Sequence, residues 1–233
     1  MRKMVLMIGL IMVMFALPVY AADVVNFVPG TTYQTTALTG FTTYGDMMNG
    51  MTVTATFSDG SSQTAIWATT GANAGAASGT DPWSLALSGD TWSSAWTLTN
   101  SRTDFVGLVS LAIDAGYGDS VFDIDWSPYP GTEGSADGNT FDRTSSNNFD
   151  VIATYSNLVA LTGDAPVGDL YRNLSLSFVS PAGAPVGLFG SMTFKADTDN
   201  LLFSGDIVPT PEPATLLLLG FGLAGLATLR KKF

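Results

Sequence analysis

The chain has 233 residues, a formal charge of −11, and neither cysteine nor histidine. Its length fits one domain, or at most two small ones. The two absences exclude a disulfide, Ser-His-Asp or Cys-His catalysis, and a zinc site of imidazole and thiolate. The chemistry that remains rests on carboxylates, hydroxyls, a few basic side chains and hard metal ions.

The charge is unevenly placed. Between Ala22 and Val208, 19 Asp and Glu stand against Arg102, Arg143, Arg172 and Lys195, an excess of 15 negative charges (19 − 4). Such a surface repels nucleic acid and anionic lipid and keeps a protein soluble outside the cell.

Residues 1–21 follow the plan of a signal peptide. Arg2 and Lys3 form a basic start, Met4 to Leu17 an apolar core, and Pro18 breaks the helix. Val19-Tyr20-Ala21 puts small residues where cleavage before Ala22 requires them. The stretch is short for a membrane span.

The strand signal then takes over, with period two. Met51, Val53, Ala55 and Phe57 alternate with Thr52, Thr54 and Thr56, which predicts a half-buried strand. Ser58-Asp59-Gly60-Ser61 is a turn, and Thr64 to Thr69 is its hairpin return. Gly71 to Gly79, GANAGAASG, reads as a mobile loop of small residues. Alternation resumes at Trp83, Leu85 and Leu87, then at Trp96 and Leu98, then at Val109, Leu111 and Ile113. Phe122, Ile124 and Trp126 face one way, with Asp123 and Asp125 on the opposite, solvent side. Ser127 to Asn148 is the longest predicted loop. Val151, Ala153 and Tyr155 follow, then Leu174, Leu176 and Phe178, then Met192, Phe194 and Ala196, and Leu201 to Phe203 closes the sheet. The expected fold is all-β: an antiparallel, jelly-roll-like β-sandwich over residues 22–207, flanked by an N-terminal signal helix and a C-terminal transmembrane helix.

From Val208 the chain reads Val-Pro-Thr-Pro211-Glu212-Pro213, then an apolar run from Ala214 to Leu229, then Arg230-Lys231-Lys232-Phe233. The prolines hold the first part extended. Residues 214–229 would make a helix of about 24 Å at 1.5 Å per residue, close to the thickness of a hydrocarbon core of about 30 Å. The basic cluster is expected on the cytoplasmic side. Pro-Glu-Pro, an apolar helix and a basic cluster in this order resemble the PEP-CTERM sorting signal, over residues 208–233. Pro211, Glu212, Pro213, Arg230, Lys231 and Lys232 carry the resemblance. It implies recognition by an exosortase, a membrane-embedded processing enzyme, after anchoring in the inner membrane, and then delivery to the cell surface or extracellular matrix. Gly89-Asp90-Thr91-Trp92, Trp96 to Asn100, Gly131 to Ser135 and Phe194 to Asn200 resemble blocks of other secreted PEP-CTERM proteins. Those blocks imply a shared sandwich and no assigned chemistry.

Several constellations are candidates for chemistry. Asp123 and Asp125 share a strand face about 7 Å apart at Cα, which meets the spacing but not the cleft that carboxylate-based glycoside hydrolysis needs. Asp114, Asp119, Asp123 and Asp125 surround Gly116 and Gly118 and are candidate calcium ligands, with Asp197 and Asp199 as a second pair. The competing reading is turn chemistry, in which Asp caps local backbone groups. Trp67, Trp83, Trp92, Trp96, Trp126, Tyr117 and Tyr129 are candidates to stack on sugar rings, set against the usual burial of tryptophan in a sandwich core. One Thr-x-Thr-x-Thr ladder at 52–56 is too little for an ice-binding face. The expected function is that of a non-enzymatic, exported envelope or matrix protein, structural or adhesive within exopolysaccharide. A calcium-assisted glycan-binding module is the alternative, and a carboxylate glycosidase the third class. Signal peptidase, an exosortase and exopolysaccharide are the expected partners, and nucleic acid is not one.

Overall fold

The structure, a computed structural model, describes residues 23–124, 138–202 and 207–209. Strands β1 (Val24–Val28), β2 (Tyr33–Thr35) and β3 (Leu38–Gly40) precede a 3-10 turn at Gly45–Met47. β4 (Thr52–Phe57), β5 (Ser62–Ile66), β6 (Ala68–Gly71), β7 (Ala74–Ser78), β8 (Trp83–Ser88), β9 (Trp96–Asn100) and β10 (Leu108–Asp114) follow. A second 3-10 turn, Ala115–Gly118, leads into β11 (Ser120–Asp123). The remainder is β12 (Asp142–Arg143), β13 (Asp150–Leu161), β14 (Leu170–Val179), β15 (Gly190–Lys195), β16 (Thr198–Leu201) and β17 (Val208–Pro209).

The strands form two sheets. The larger runs β17-β2-β13-β14-β10-β4-β5, with β1 on β13, and with β11, β16 and β3 attached in turn beyond β14. The smaller runs β12-β15-β9-β8-β7-β6. Pairing is antiparallel except at one edge, where β1 and β2 both lie parallel to the long strand β13. Both fit on one neighbour because β13 has twelve residues: Val24–Val28 matches 152–156, and Tyr33–Thr35 matches 159–161.

The alternation seen in the sequence becomes the core. In β4, Val53, Ala55 and Phe57 are buried while the threonines between them are half-exposed. Residues of both sheets join in one cluster, among them Trp83, Leu85, Trp96, Tyr155, Leu176 and Phe194. The chain first passes from the larger sheet to the smaller between β5 and β6, through the single residue Trp67. Trp67 is buried, packs on Trp96 with centroids 5.2 Å apart, and donates its Nε1–H to the Gly45 carbonyl at 2.7 Å.

Three expectations are corrected. GANAGAASG is not a loop: residues 74–78 are β7, paired with β8 over its whole length. Its small residues are a packing requirement, because a Cβ on Gly75 would lie 2.2 Å from both the Gly45 carbonyl oxygen and Trp67 Nε1. The predicted loop 127–148 contains β12 and the buried Phe141, which packs on Phe194 with centroids 5.3 Å apart. Asp123 does lie opposite Phe122, but it is fully buried. The reason is a second, smaller cluster of Val121, Val159, Leu170 and Leu201, with Tyr33, Leu38 and Ile207 packed against it. Val121 alternates with the core residue Phe122, so this cluster covers the other face of the larger sheet.

The expected signal segment 1–21 and apolar helix 214–229 lie outside the described residues. Among the described residues no helix is long and apolar enough to cross a membrane.

Candidate functional site

Of the four candidate calcium ligands, Asp114, Asp119 and Asp123 are among the described residues. Asp114 ends β10 and starts the second 3-10 turn, accepting the Gly116 amide at 3.1 Å. Its two oxygens take Nε and Nη2 of Arg172 at 2.8 and 2.9 Å, a bidentate pair. Asp119 closes the same turn in the left-handed region, φ 54°, and its amide donates to the Ala115 carbonyl. The Asp114 side chain therefore does the turn chemistry that competed with calcium, while Asp119 holds the left-handed turn position through its backbone. Asp125 lies outside the described residues. Asp123 is carried away to the buried outer face, where its amide donates to the Asp197 carbonyl at 3.2 Å and its carbonyl accepts from the Asn139 amide at 3.1 Å. Among the described residues no group of three or more acidic side chains is placed to hold a metal ion.

Asp123 and Asp197 instead place two buried carboxyl groups near each other. Asp197 is 2 % exposed. Its Oδ1 accepts the Thr91 hydroxyl at 2.6 Å, while Oδ2 has no hydrogen-bond partner. Burial pushes its pKa up to about 7; the Thr91 and Thr198 hydrogen bonds oppose this, and the charges of Asp123 and Asp90 add to it.

A cleft opens at the other end of the same 3-10 turn. It encloses about 540 Å³ and is lined by Tyr33, Asp114, Tyr117, Asn157, Arg172 and Asn173, with Gly116 among the lining residues. That volume lies within the usual range of small-ligand sites, roughly 300–1,000 Å³. The fold explains the convergence. Asp114 of β10 sits opposite Asn173 of β14, and β13 flanks β14 with Asn157. The Asn157 side chain accepts the Thr31 amide through Oδ1 at 3.0 Å and donates Nδ2 to Asn173 Oδ1 at 2.7 Å. Arg172 lies against two rings, 4.6 Å from the Tyr33 centroid and 4.8 Å from that of Tyr117. Tyr117 rides on the turn and is 62 % exposed. A side chain at Gly116 would crowd Arg172 Nε at 3.0 Å and Ile207 Cδ1 at 3.1 Å, so glycine keeps this space open.

The aromatic candidates divide accordingly. Trp67, Trp83 and Trp96 are core residues, Trp92 is 50 % exposed away from the cleft lining, and Trp126 and Tyr129 lie outside the described residues. Tyr33, Arg172, Asn157 and Asn173 carried no sequence signal for a site. Their partners are far away in the chain, and only strand pairing joins them.

The remaining wall of the cleft is Ile207 and Pro209. β17 pairs with β2 through Val208 opposite Gln34 and Pro209 opposite Tyr33, so the segment leading into Pro211-Glu212-Pro213 leaves the domain beside the cleft. Neither the curated proteins nor the solved structures contain a match to this chain. Residues 209–232 match the family model of the PEP-CTERM protein-sorting motif, a stretch that includes Pro211, Glu212, Pro213 and Arg230 to Lys232. A motif of this kind implies export and processing by an exosortase, and the chain is a β-rich protein carrying a PEP-CTERM sorting signal.

Proposed function

We propose that this protein is a non-enzymatic adhesive component of an exopolysaccharide matrix, holding glycan in the cleft around Tyr117. The observation that carries the reading is the convergence of an exposed tyrosine with hydrogen-bonding amides, a carboxylate and a guanidinium in one open space. Small-ligand sites commonly combine an apolar platform with a few placed polar groups. The sorting motif supports delivery to the polymer. In this reading residues 1–21 are removed as a signal peptide, residues 22–207 form the secreted, jelly-roll-like domain, and 214–229 anchor the precursor in the inner membrane until processing. The chain's repeated passage between the two sheets supports the jelly-roll-like description. A glycosidase is disfavoured, because Asp114 is the sole carboxylate among the residues lining the cleft and is paired with Arg172.

Calcium-assisted binding is the second reading. It is favoured by the buried Asp197 Oδ2 that lacks a partner beside Asp123. One experiment separates the two. The full chain is applied to the host's exopolysaccharide with calcium and then with chelator. Retention in both conditions, abolished by Tyr117→Ala, is expected. Retention lost on chelation would transfer the function to the acidic residues. No retention in either condition would remove glycan binding altogether.

A further inference from the structure

We propose that the cleft selects an uncharged pyranose stretch of polysaccharide and discriminates against uronate-bearing polymer. The inference rests on the glycan reading above and narrows its ligand.

Carboxylate and sulfate groups on sugars are held by free guanidinium or ammonium groups, above all by the bidentate fork of arginine. Arg172 is the cation lining the cleft; the Nε–Nη2 side of its guanidinium is already taken, and Tyr117 also hydrogen-bonds to it. Nε and Nη2 both donate to Asp114, and the rings of Tyr33 and Tyr117 lie against its guanidinium carbon. The Asp114–Arg172 pair is charge-balanced, and its side chains are only 21 % and 12 % exposed, so solvent does not readily pull it apart. The other polar groups of the lining are the phenols of the two tyrosines and the amides of Asn157 and Asn173, which are bonded to each other through Asn157 Nδ2 and Asn173 Oδ1. These groups match sugar hydroxyls, which both donate and accept.

The other two arginines between residues 22 and 208 offer no substitute. Arg102 is bound to Asp59, Asp81 and Asp104, and Arg143 to Asp23. Of the four basic residues between 22 and 208, all three arginines are therefore spent on aspartates, against 15 excess negative charges in that span. A polyanion approaching the cleft meets net repulsion over a Debye length of about 8–10 Å. A neutral polymer meets none.

The test uses the full chain and the host's exopolysaccharide, split by anion exchange into neutral and uronate-bearing fractions. Wild type is expected to bind the neutral fraction, with affinity changing by less than about twofold between low and high salt. Asp114→Asn frees the Arg172 fork and is expected to move binding toward the uronate fraction in a salt-sensitive manner. Should that variant fail to fold, the fraction and salt comparison on wild type decides alone. Wild-type capture of the uronate fraction, weakened by salt and abolished by Tyr117→Ala, would keep the cleft as the glycan site and overturn its neutrality. Capture of neither fraction would overturn both.

Discussion

The Asp123 amide donates to the Asp197 carbonyl at 3.2 Å, and this bond holds together two carboxylates that are both buried. Among the described residues, Arg102, Arg143 and Arg172 are each paired with other aspartates. Asp197 is thereby made a proton-holding group at neutral pH.

A pH dependence follows. The folded protein keeps the Asp197 proton up to about pH 7, whereas the ordinary carboxylate value is 3.8. Between these values the folded state binds more protons than the unfolded state, so stability falls as pH rises, and the loss is complete above about 7. The interval corresponds to roughly 4 kcal/mol at most. Asp197→Asn, which cannot ionise, should remove this slope. Urea unfolding of wild type and variant between about pH 4 and 8 measures it, and parallel curves would contradict the prediction.

Tyr155 offers a second measurement. It is fully buried, burial pushes its phenol above the ordinary pKa, and the Phe141 backbone opposes that shift. Its ring packs near Phe122 and Phe27, at 5.7 and 5.8 Å between centroids. Tyr155→Phe keeps those contacts and removes a buried hydroxyl that makes no well-formed hydrogen bond, so it should be neutral or stabilising by about 1 kcal/mol. A loss above about 1 kcal/mol in denaturant unfolding would mean that the hydroxyl has a partner.

The corner at Trp67 should be among the costliest sites to alter. Trp67→Ala opens a cavity between the sheets and should cost roughly 3–5 kcal/mol. Gly75→Ala, a change of one methyl, should also destabilise the protein strongly, because the added carbon has no room against Gly45 and Trp67. Ala76→Gly in the same strand serves as a control, since Ala76 is only half-buried, and should cost about 1 kcal/mol or less. Thermal unfolding of the three variants gives the order.

The cleft can be narrowed without replacing any of its polar residues. Gly116→Val directs a branched side chain toward Arg172 and Ile207. It should reduce retention on exopolysaccharide at least about tenfold, the equivalent of 1.4 kcal/mol, while near-UV circular dichroism stays close to wild type. Unchanged retention would place the ligand elsewhere.

Much of the fold was legible because a strand reports its buried face at every second residue. Val53, Ala55 and Phe57, or Leu174 and Leu176, are legible from local order alone. The same rule fails where both faces are covered or where the packing partner is small. Alternation put Asp123 opposite Phe122, but whether that face meets water depends on Val121, Leu170 and Leu201. GANAGAASG lacks the large side chains that mark a strand, because Trp67 occupies the space they would fill.

The sorting signal and the chemical limits are properties of the linear sequence. A sorting signal must be read as a linear segment, so Pro211-Glu212-Pro213, the apolar run and Arg230 to Lys232 are complete as written. The lack of histidine and cysteine likewise holds in any fold. Tertiary structure alone decided which acids stay free and where a ligand has room. Asp114 looked like a metal ligand until β14 brought Arg172 beside it, and the cleft draws its walls from β2, the turn after β10, β13, β14 and β17. Those segments meet only through strand pairing, and pairing between distant segments is settled by the packing of the whole core, not by the residues on either side of each strand.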